Sequence, residues 1–502
     1  MPNSFAYLVL ALWPLAMLGI FRALPPGRAL IWSVLASYLI LPPYPTEFDF
    51  PLMPSLDKTT IPNIMAIVLV IFVAKQKIQW LPETRMGKLL VAIFVLAPIP
   101  TVLTNPEPIV FVTDFIRGLY AQDIFAMMVG QCILLANYML ARQLLTTEED
   151  LRDLLLAIVI AGVAYSFPML LEVRLSPQLN IWIYGFFQHL FEQSIRGDGF
   201  RPIVFLSHGI WAAMLTLMSL SATLILIMNS EGKQRQRLIF VAVFLFGVLV
   251  LAKTLSALVY ALFIMGMVIF TDWRMQVKVA MLLACLALAY PIAKGANLVP
   301  EERLLQLAEG VSEDRAQSLE FRFEHEGALL NRAQKKPLFG WGIWGRNQIH
   351  DPITGRMTSV ADGRWVLVLG MLGWLGFIGE FGLLILPIFL IYRISVRLPT
   401  EERWRSHQRE ANAFPPERNW PLMINRPKVA PIVGGMSLLL AINTVDLLPN
   451  ATLTTMTWLI AGALLGYAEA FIVARKTGAA EEKAAGTELV VQTQPPRPRT
   501  VL

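Results

Sequence analysis

Apolar residues fall in long runs along almost the whole chain, separated by short polar breaks. A helix needs about 20 apolar residues to cross the hydrocarbon layer, fewer where flanking residues help. Runs of this kind cover 5–21, 29–41, 61–74, 88–103, 124–144, 151–173, 203–228, 238–252, 254–270, 275–292, 365–392, 429–446 and 455–474. The pattern predicts an all-α protein, a polytopic transmembrane helical bundle of about 12–13 spans, with a large loop before the last three helices. The 238–270 stretch is long enough to be one helix. Lys253 and Thr254 at its middle predict a tight hairpin instead, because a charge at mid-bilayer costs at least about 2.5 kcal/mol.

The polar breaks alternate in charge. One set holds Arg22, Arg28, Lys75, Lys77, Arg85, Lys88, Arg142, Arg152, Lys233, Arg235, Arg237, Arg274 and Lys278, and the 393–428 segment adds a further basic cluster. The alternate set is poor in Lys and Arg: 42–60 holds only Lys58, beside Glu47, Asp49 and Asp57. The excess of positive charge in cytoplasmic loops then places the first set inside the cell, with the C-terminal tail. The N-terminus and the 293–364 loop fall outside. Four units follow: a bundle of about ten helices at 1–292, an ordered external loop at 293–364, C-terminal helices at 365–475, and a polar tail at 476–502 read as disordered. The basic 393–428 loop reads as a solvated cytoplasmic anchor.

Composition agrees with the pattern. Of 502 residues, 56% are apolar and 16% charged, which leaves too little polar surface for a soluble domain of this size. The net charge of +6 sits mostly in the short loops, where it orients the chain, and is no nucleic-acid signature. Cys132 and Cys285 both lie in apolar runs, which excludes a disulfide framework and a CxxC metal site. The first apolar run follows a start without Lys or Arg and reads as a retained helix. No P-loop, HExxH or GxSxG occurs, so nucleotide-driven pumping and the common hydrolase schemes lack support.

What remains is a group of ionisable residues on the external side: Arg196, Arg201, His208, Lys253, Arg322, His350, Asp362 and Arg364. Arg201 opens the 203–228 run, and His208 at i+7 would lie on nearly the same helical face. Arg201 can simply snorkel to the headgroups, or it can clamp an anion at the bilayer edge above a titratable partner. Lys253 faces the same layer and leaves the same choice open. A cluster of cations at one membrane face suits a lipid-linked phosphate or diphosphate, with Arg as the bidentate partner and Lys as a point charge. In 321–350 an amphipathic helix ends near Lys336, followed by Pro337 and a Gly-Trp turn. Asp362 sits where the next helix begins, as an N-cap or as a carboxylate able to take a proton from a hydroxyl.

The pattern PLFGWG, a polar stretch, then a helix carrying LGMLGWLG resembles the O-antigen ligase/polymerase superfamily of bacterial membrane proteins. The RPIVFLSHG lead-in at 201–209 and the order of elements are also similar to it. In detail the resemblance covers roughly 195–395. The chain departs from the family at two places. LAKTLSALVY stands where members carry a Ser-Arg pair, so Lys253 takes the arginine's place, and Asp362-Gly363 stands where ligases carry His-Asn, leaving His350 as the nearest histidine. These departures favour a polymerase or another branch over lipopolysaccharide ligation.

The resemblance implies a metal-independent glycosyltransferase of the bacterial inner membrane. It would need no cofactor and would act at the periplasmic face on a polyprenyl-diphosphate-linked oligosaccharide, with other polysaccharide-assembly proteins as possible partners. Arg201 and Lys253, supported by Arg196 or Arg322, would neutralise the leaving diphosphate. His208 and Arg364 would assist, and Asp362 or His350 would activate the acceptor hydroxyl. Two alternatives stand beside it. A lipid or polysaccharide transporter or flippase would need paired ionisable groups near mid-bilayer, for which Glu380 and Asp446 are the candidates within spans. A membrane subunit of a secretion complex would leave the external cations idle.

Overall fold

A computed structural model describes residues 1–50, 53–196, 199–310, 313–398 and 429–492. It is helical almost throughout, as the apolar pattern requires. The helices are α1 (Ser4–Ala23), α2 (Pro26–Ile40), α3 (Thr60–Phe72), α4 (Arg85–Leu96), α5 (Pro98–Leu103), α6 (Ala121–Leu144), α7 (Glu148–Leu175) and α8 (Leu179–Tyr184). They continue with α9 (Gly209–Met228), α10 (Gly232–Leu251), α11 (Leu255–Phe270), α12 (Trp273–Gly295), α13 (Glu301–Glu309), α14 (Glu313–Gln334), α15 (Arg364–Arg397), α16 (Ile432–Asp446) and α17 (Thr455–Gln492). The only strands among the described residues are two short hairpins, β1 (Ile109–Val110) with β2 (Phe115–Ile116) and β3 (Ile195–Arg196) with β4 (Gly199–Phe200). Among the described residues nine helices are long and apolar enough to cross a membrane, and α3, α11 and α16 are shorter apolar ones. The chain is a multi-pass α-helical bundle. Buried residues fill 89% of the apolar window of α9 but 28% of those of α1 and α10, so α9 stands at the centre and the other two at the rim.

Local chemistry sets the boundaries. The Asn3 side chain accepts the Ala6 N–H at 2.9 Å at the start of α1, and Pro25 and Pro26 divide α1 from α2. Thr147 and Asp150 form a capping box on α7, and Asp272 caps α12. Lys253 takes a left-handed φ of 51° between α10 and α11, which makes the expected hairpin.

The connections gather at two ends. At one end Asn3 meets Tyr184, Lys58 bonds the Phe205 carbonyl, Lys253 that of Arg196, Lys336 the Asn105 side chain, and Arg364 N the Leu447 carbonyl. At the other Arg28 pairs with Asp153, Arg274 reaches the Leu398 carbonyl, and Arg142 pairs with Glu469. Each contact joins connections that the alternation of charge assigns to one side. The second end is the basic one.

The Arg142–Glu469 pair ties α6, α17 and the start of α4 together. Both side chains are buried and 2.9 Å apart, and Glu469 also accepts the Glu83 and Thr84 N–H groups. Gly462 and Gly466 lie directly on the Tyr138 and Arg142 carbonyls, a small-residue seam that lets α17 approach α6 closely. Glu469→Ala leaves a buried guanidinium unpaired. It is expected to lower stability by about 3–5 kcal/mol, read as a fall in denaturation midpoint of the purified protein in detergent.

Three expectations change. The 203–228 run does not begin as helix: α9 starts at Gly209, because side chains rather than helical carbonyls take the backbone N–H groups of 203–205 and hold 201–208 as an irregular, turning strap. Arg201 and His208 therefore do not share a helical face. The 365–392 run is not one straight helix: Gly373 at φ 64° and ψ −164° breaks α15. Residues 364 and 380 would lie about 24 Å apart along a straight helix, yet Arg364 and Glu380 are ion-paired at 2.6 Å. The two halves of α15 fold back on each other. The third change is at the tail, where the backbone stays helical to Gln492, in keeping with the Ala, Glu and Lys of that stretch. Most of the basic 393–428 loop lies outside the described residues, as do the last ten positions of the tail.

Candidate functional site

The lead-in to α9 is built around a buried carboxylate. Glu172, near the end of α7, accepts the N–H groups of Ile203 at 2.8 Å, Val204 at 2.7 Å and Leu179 at 3.1 Å. The Tyr165 hydroxyl accepts from Phe205 N at 3.0 Å, and Gln188 donates to the Val204 and Leu206 carbonyls. These bonds hold the strap in a shape no helix has, with Val204 at φ 57°. Arg201 leads the strap. Its N–H bonds the Ser194 carbonyl at 2.7 Å, and its stem lies over Gly209 so closely that a β-carbon there would run into it.

His208 caps α9, its Nδ1 accepting the Ile210 N–H at 3.1 Å. That bond leaves the ring proton on Nε2. The ring stands edge-on to His189 at 4.6 Å. Burial, then the neighbouring His189, Arg201, Arg196 and Arg322, push its pKa down to about 3. His208 is thus a neutral N–H donor among cations rather than a titrating partner. Lys253 bonds the Arg196 carbonyl at 2.9 Å and lies against Gly199, which brings it to the same hairpin.

Arg322 reaches this group from α14. Its Nε lies 3.3 Å from Asp362, and its Nη1 lies 3.4 Å from both the Pro449 carbonyl and Asn450 Oδ1. Below it Asp446, fully buried at the end of α16, accepts from Asn450 at 2.8 Å and Thr452 at 2.5 Å, with the Tyr260 hydroxyl beside it. A cavity of about 210 Å³ adjoins, walled by Tyr290, Arg322, Phe323, Glu326, Asp362 and Pro449 among others. Gly363, not Asp362, stands at the N-cap of α15, and no side chain caps that helix. Asp362 is an ion-pair partner.

The structure therefore gathers Arg196, Arg201, His208, Lys253, Arg322 and Asp362 at one end of the bundle. Two other candidates stand apart. His350 packs on Phe111 at 5.4 Å and lines a different cavity, of about 250 Å³, with Asn331, Arg332 and Lys335; burial and then Arg332 lower its pKa. Arg364 is spent on Glu380, through two bonds of 2.7 and 2.6 Å. Sequence reasoning missed Asn450, Thr452, Tyr260, Tyr290 and Glu326. The run DLLPNATLT between the last two spans carried a signal for the first two, since polar residues there have little room for water.

Chemically, Arg322 faces a confined space with Glu326 and Asp362 in its wall, and Arg196, Arg201, Lys253 and the neutral His208 lie at the same end of the bundle. This suits an anion with several oxygens, such as a diphosphate. Among the described residues no group of three or more His, Cys, Asp or Glu is assembled as metal ligands would be. Comparison of the chain with family models, with curated proteins and with solved structures returns no match.

Proposed function

We propose that this protein is a membrane glycosyltransferase that polymerises or ligates glycan units carried on a polyprenyl diphosphate. The observation that carries this reading is the gathering of cations at one end of a membrane bundle: the Arg201 stem packs on Gly209 next to His208, Lys253 bonds the Arg196 carbonyl, and Arg322 comes in from α14. A diphosphate on a lipid tail is the anion that reaches such a place from within the bilayer. The donor's C1–O bond breaks as an acceptor hydroxyl attacks, and the diphosphate leaves with the bonding electrons. Fixed cations in a water-poor site stabilise that charge as it develops, usually the largest single contribution to catalysis. The diphosphate linkage already stores the energy, so no nucleotide is needed. The transporter alternative relied on Glu380 and Asp446, and these are held by Arg364 and by Asn450 with Thr452.

Membranes that hold the protein should convert a polyprenyl-diphosphate-linked repeat unit into longer products, and a strain without the gene should lose that glycan from its surface. An unchanged surface glycan and no transfer in vitro would reject the reading. The charge of the loops supports a site on the non-cytoplasmic side, which on this reading is the periplasmic face of a bacterial inner membrane. A reporter fused near Gly310 should accordingly be periplasmic and one in the 393–428 segment cytoplasmic; the reverse result would put the site in the wrong compartment.

A further inference from the structure

We infer that Glu326, and not Asp362, is the group that takes the proton from the attacking hydroxyl, an assignment that rests on the transferase reading above. Glu326 follows Arg322 by one turn of α14, so both point from the same face into the 210 Å³ cavity. Only 9% of Glu326 is exposed. Its Oε1 accepts the Tyr290 hydroxyl at 2.8 Å and lies 3.6 Å from the Lys294 ammonium, while Oε2 takes no hydrogen bond among the described residues. One oxygen is thus anchored and the other is open for a substrate proton. Asp362 offers the opposite: its carboxylate is held by Arg322, and its side chain is 39% exposed.

The step balances with groups already named. The acceptor oxygen bonds to the donor's anomeric carbon, whose bond to the diphosphate oxygen breaks, and the electron pair leaves with the diphosphate beside Arg322 and Arg201. The hydroxyl proton passes to Glu326 Oε2 and later to water. Glu326 is faced by Tyr290 and Lys294 from α12, Glu301 from α13, Arg322 on its own helix and Asp362 from the segment before α15. Burial raises its pKa, Tyr290 and Lys294 oppose the rise, and Glu301 adds to it. A base works only when deprotonated. Activity should therefore fall as pH drops through this raised value, with an acid limb above the usual carboxylate range.

The test is transfer by membranes given a polyprenyl-diphosphate-linked repeat, across pH. Glu326→Gln keeps the shape and still accepts from Tyr290; the rate should fall on the order of 100-fold or more, with normal protein amount and the donor still bound. Asp362→Asn should leave the acid limb of the pH profile where it is, because Asp362 holds Arg322 and takes no proton from the substrate. Tyr290→Phe removes a bond that favours the charged carboxylate, so its acid limb should move to higher pH. That shift separates a base from a strut: if Glu326 merely held α14 to α12, the limb would stay where it is. An unmoved limb in Tyr290→Phe overturns the assignment even if Glu326→Gln fails to accumulate. Full transfer by Glu326→Gln alongside a dead Arg201→Ala would overturn the base and leave the transferase reading intact. Full transfer by both would overturn the base and the cation site together, and no transfer by the unaltered protein would overturn the transferase reading itself.

Discussion

Arg201→Ala is expected to abolish glycan transfer while the protein accumulates at its normal level. The strap that carries Arg201 is held by Glu172, Tyr165 and Gln188 through backbone groups of residues 203–206. Truncation should leave the fold in place and remove one buried cation next to His208. Loss of one preorganised donor in a water-poor site costs about 100- to 1,000-fold in rate. Arg201→Lys should rescue poorly, because lysine keeps the charge but loses the planar fork that grips two oxygens at once. The measurement is the rate of chain extension from a lipid-linked repeat, normalised to protein in the membrane. Full activity in Arg201→Ala would reduce the residue to a headgroup anchor and remove the main support for a diphosphate site.

Much of the bundle was legible in the sequence, because the bilayer admits few solutions. A run such as 124–144 or 455–474 must be helical to satisfy its backbone in hydrocarbon, and α6 and α17 cover those runs. Lys253 marked a turn because a charge cannot stay at mid-depth, and the chain does turn there. What hydropathy could not show was where hydrogen bonds go. Ile203, Val204, Phe205 and Leu206 are as apolar as the helix they precede, yet a carboxylate thirty residues upstream takes the N–H groups of the first two and the Tyr165 hydroxyl that of the third. The same blindness hid Glu326, which reads as an ordinary charge on an amphipathic helix until Tyr290 and Lys294 are folded against it. It also made Asp362 look like a cap, when its partner is Arg322, forty residues away in sequence.

The two motifs that carried the family resemblance turn out to be halves of one structural device. PLFGWG at 337–342 docks into the break of α15 within LGMLGWLG at 369–376. Trp341 N and Gly342 N donate to the Gly370 and Met371 carbonyls, and Trp374 N and Leu375 N donate to the Pro337 and Leu338 carbonyls. The loop thus satisfies the backbone groups that the break sets free. Contact this close requires two glycines with left-handed φ, Gly340 at 69° and Gly373 at 64°. A β-carbon on Gly373 would overlap the Leu338 carbonyl and Phe339 N, and one on Gly340 would overlap the Met371 carbonyl and Leu372 N. The obstacle in each case is backbone, which cannot rotate away as a side chain can. At Gly373 the φ/ψ pair is one that only glycine adopts readily, adding about 1–3 kcal/mol of strain to the overlap. Gly373→Ala and Gly340→Ala are each expected to lower the melting temperature in detergent by several degrees or to prevent accumulation. Gly19→Ala, at a site on α1 with open space around it, should melt with the wild type. Transfer should fail along with stability, since the folded-back half of α15 sets the position of Asp362 and, through it, of Arg322. A Gly373→Ala protein that melts and transfers like the wild type would show that the clasp is not what holds the loop to the helix.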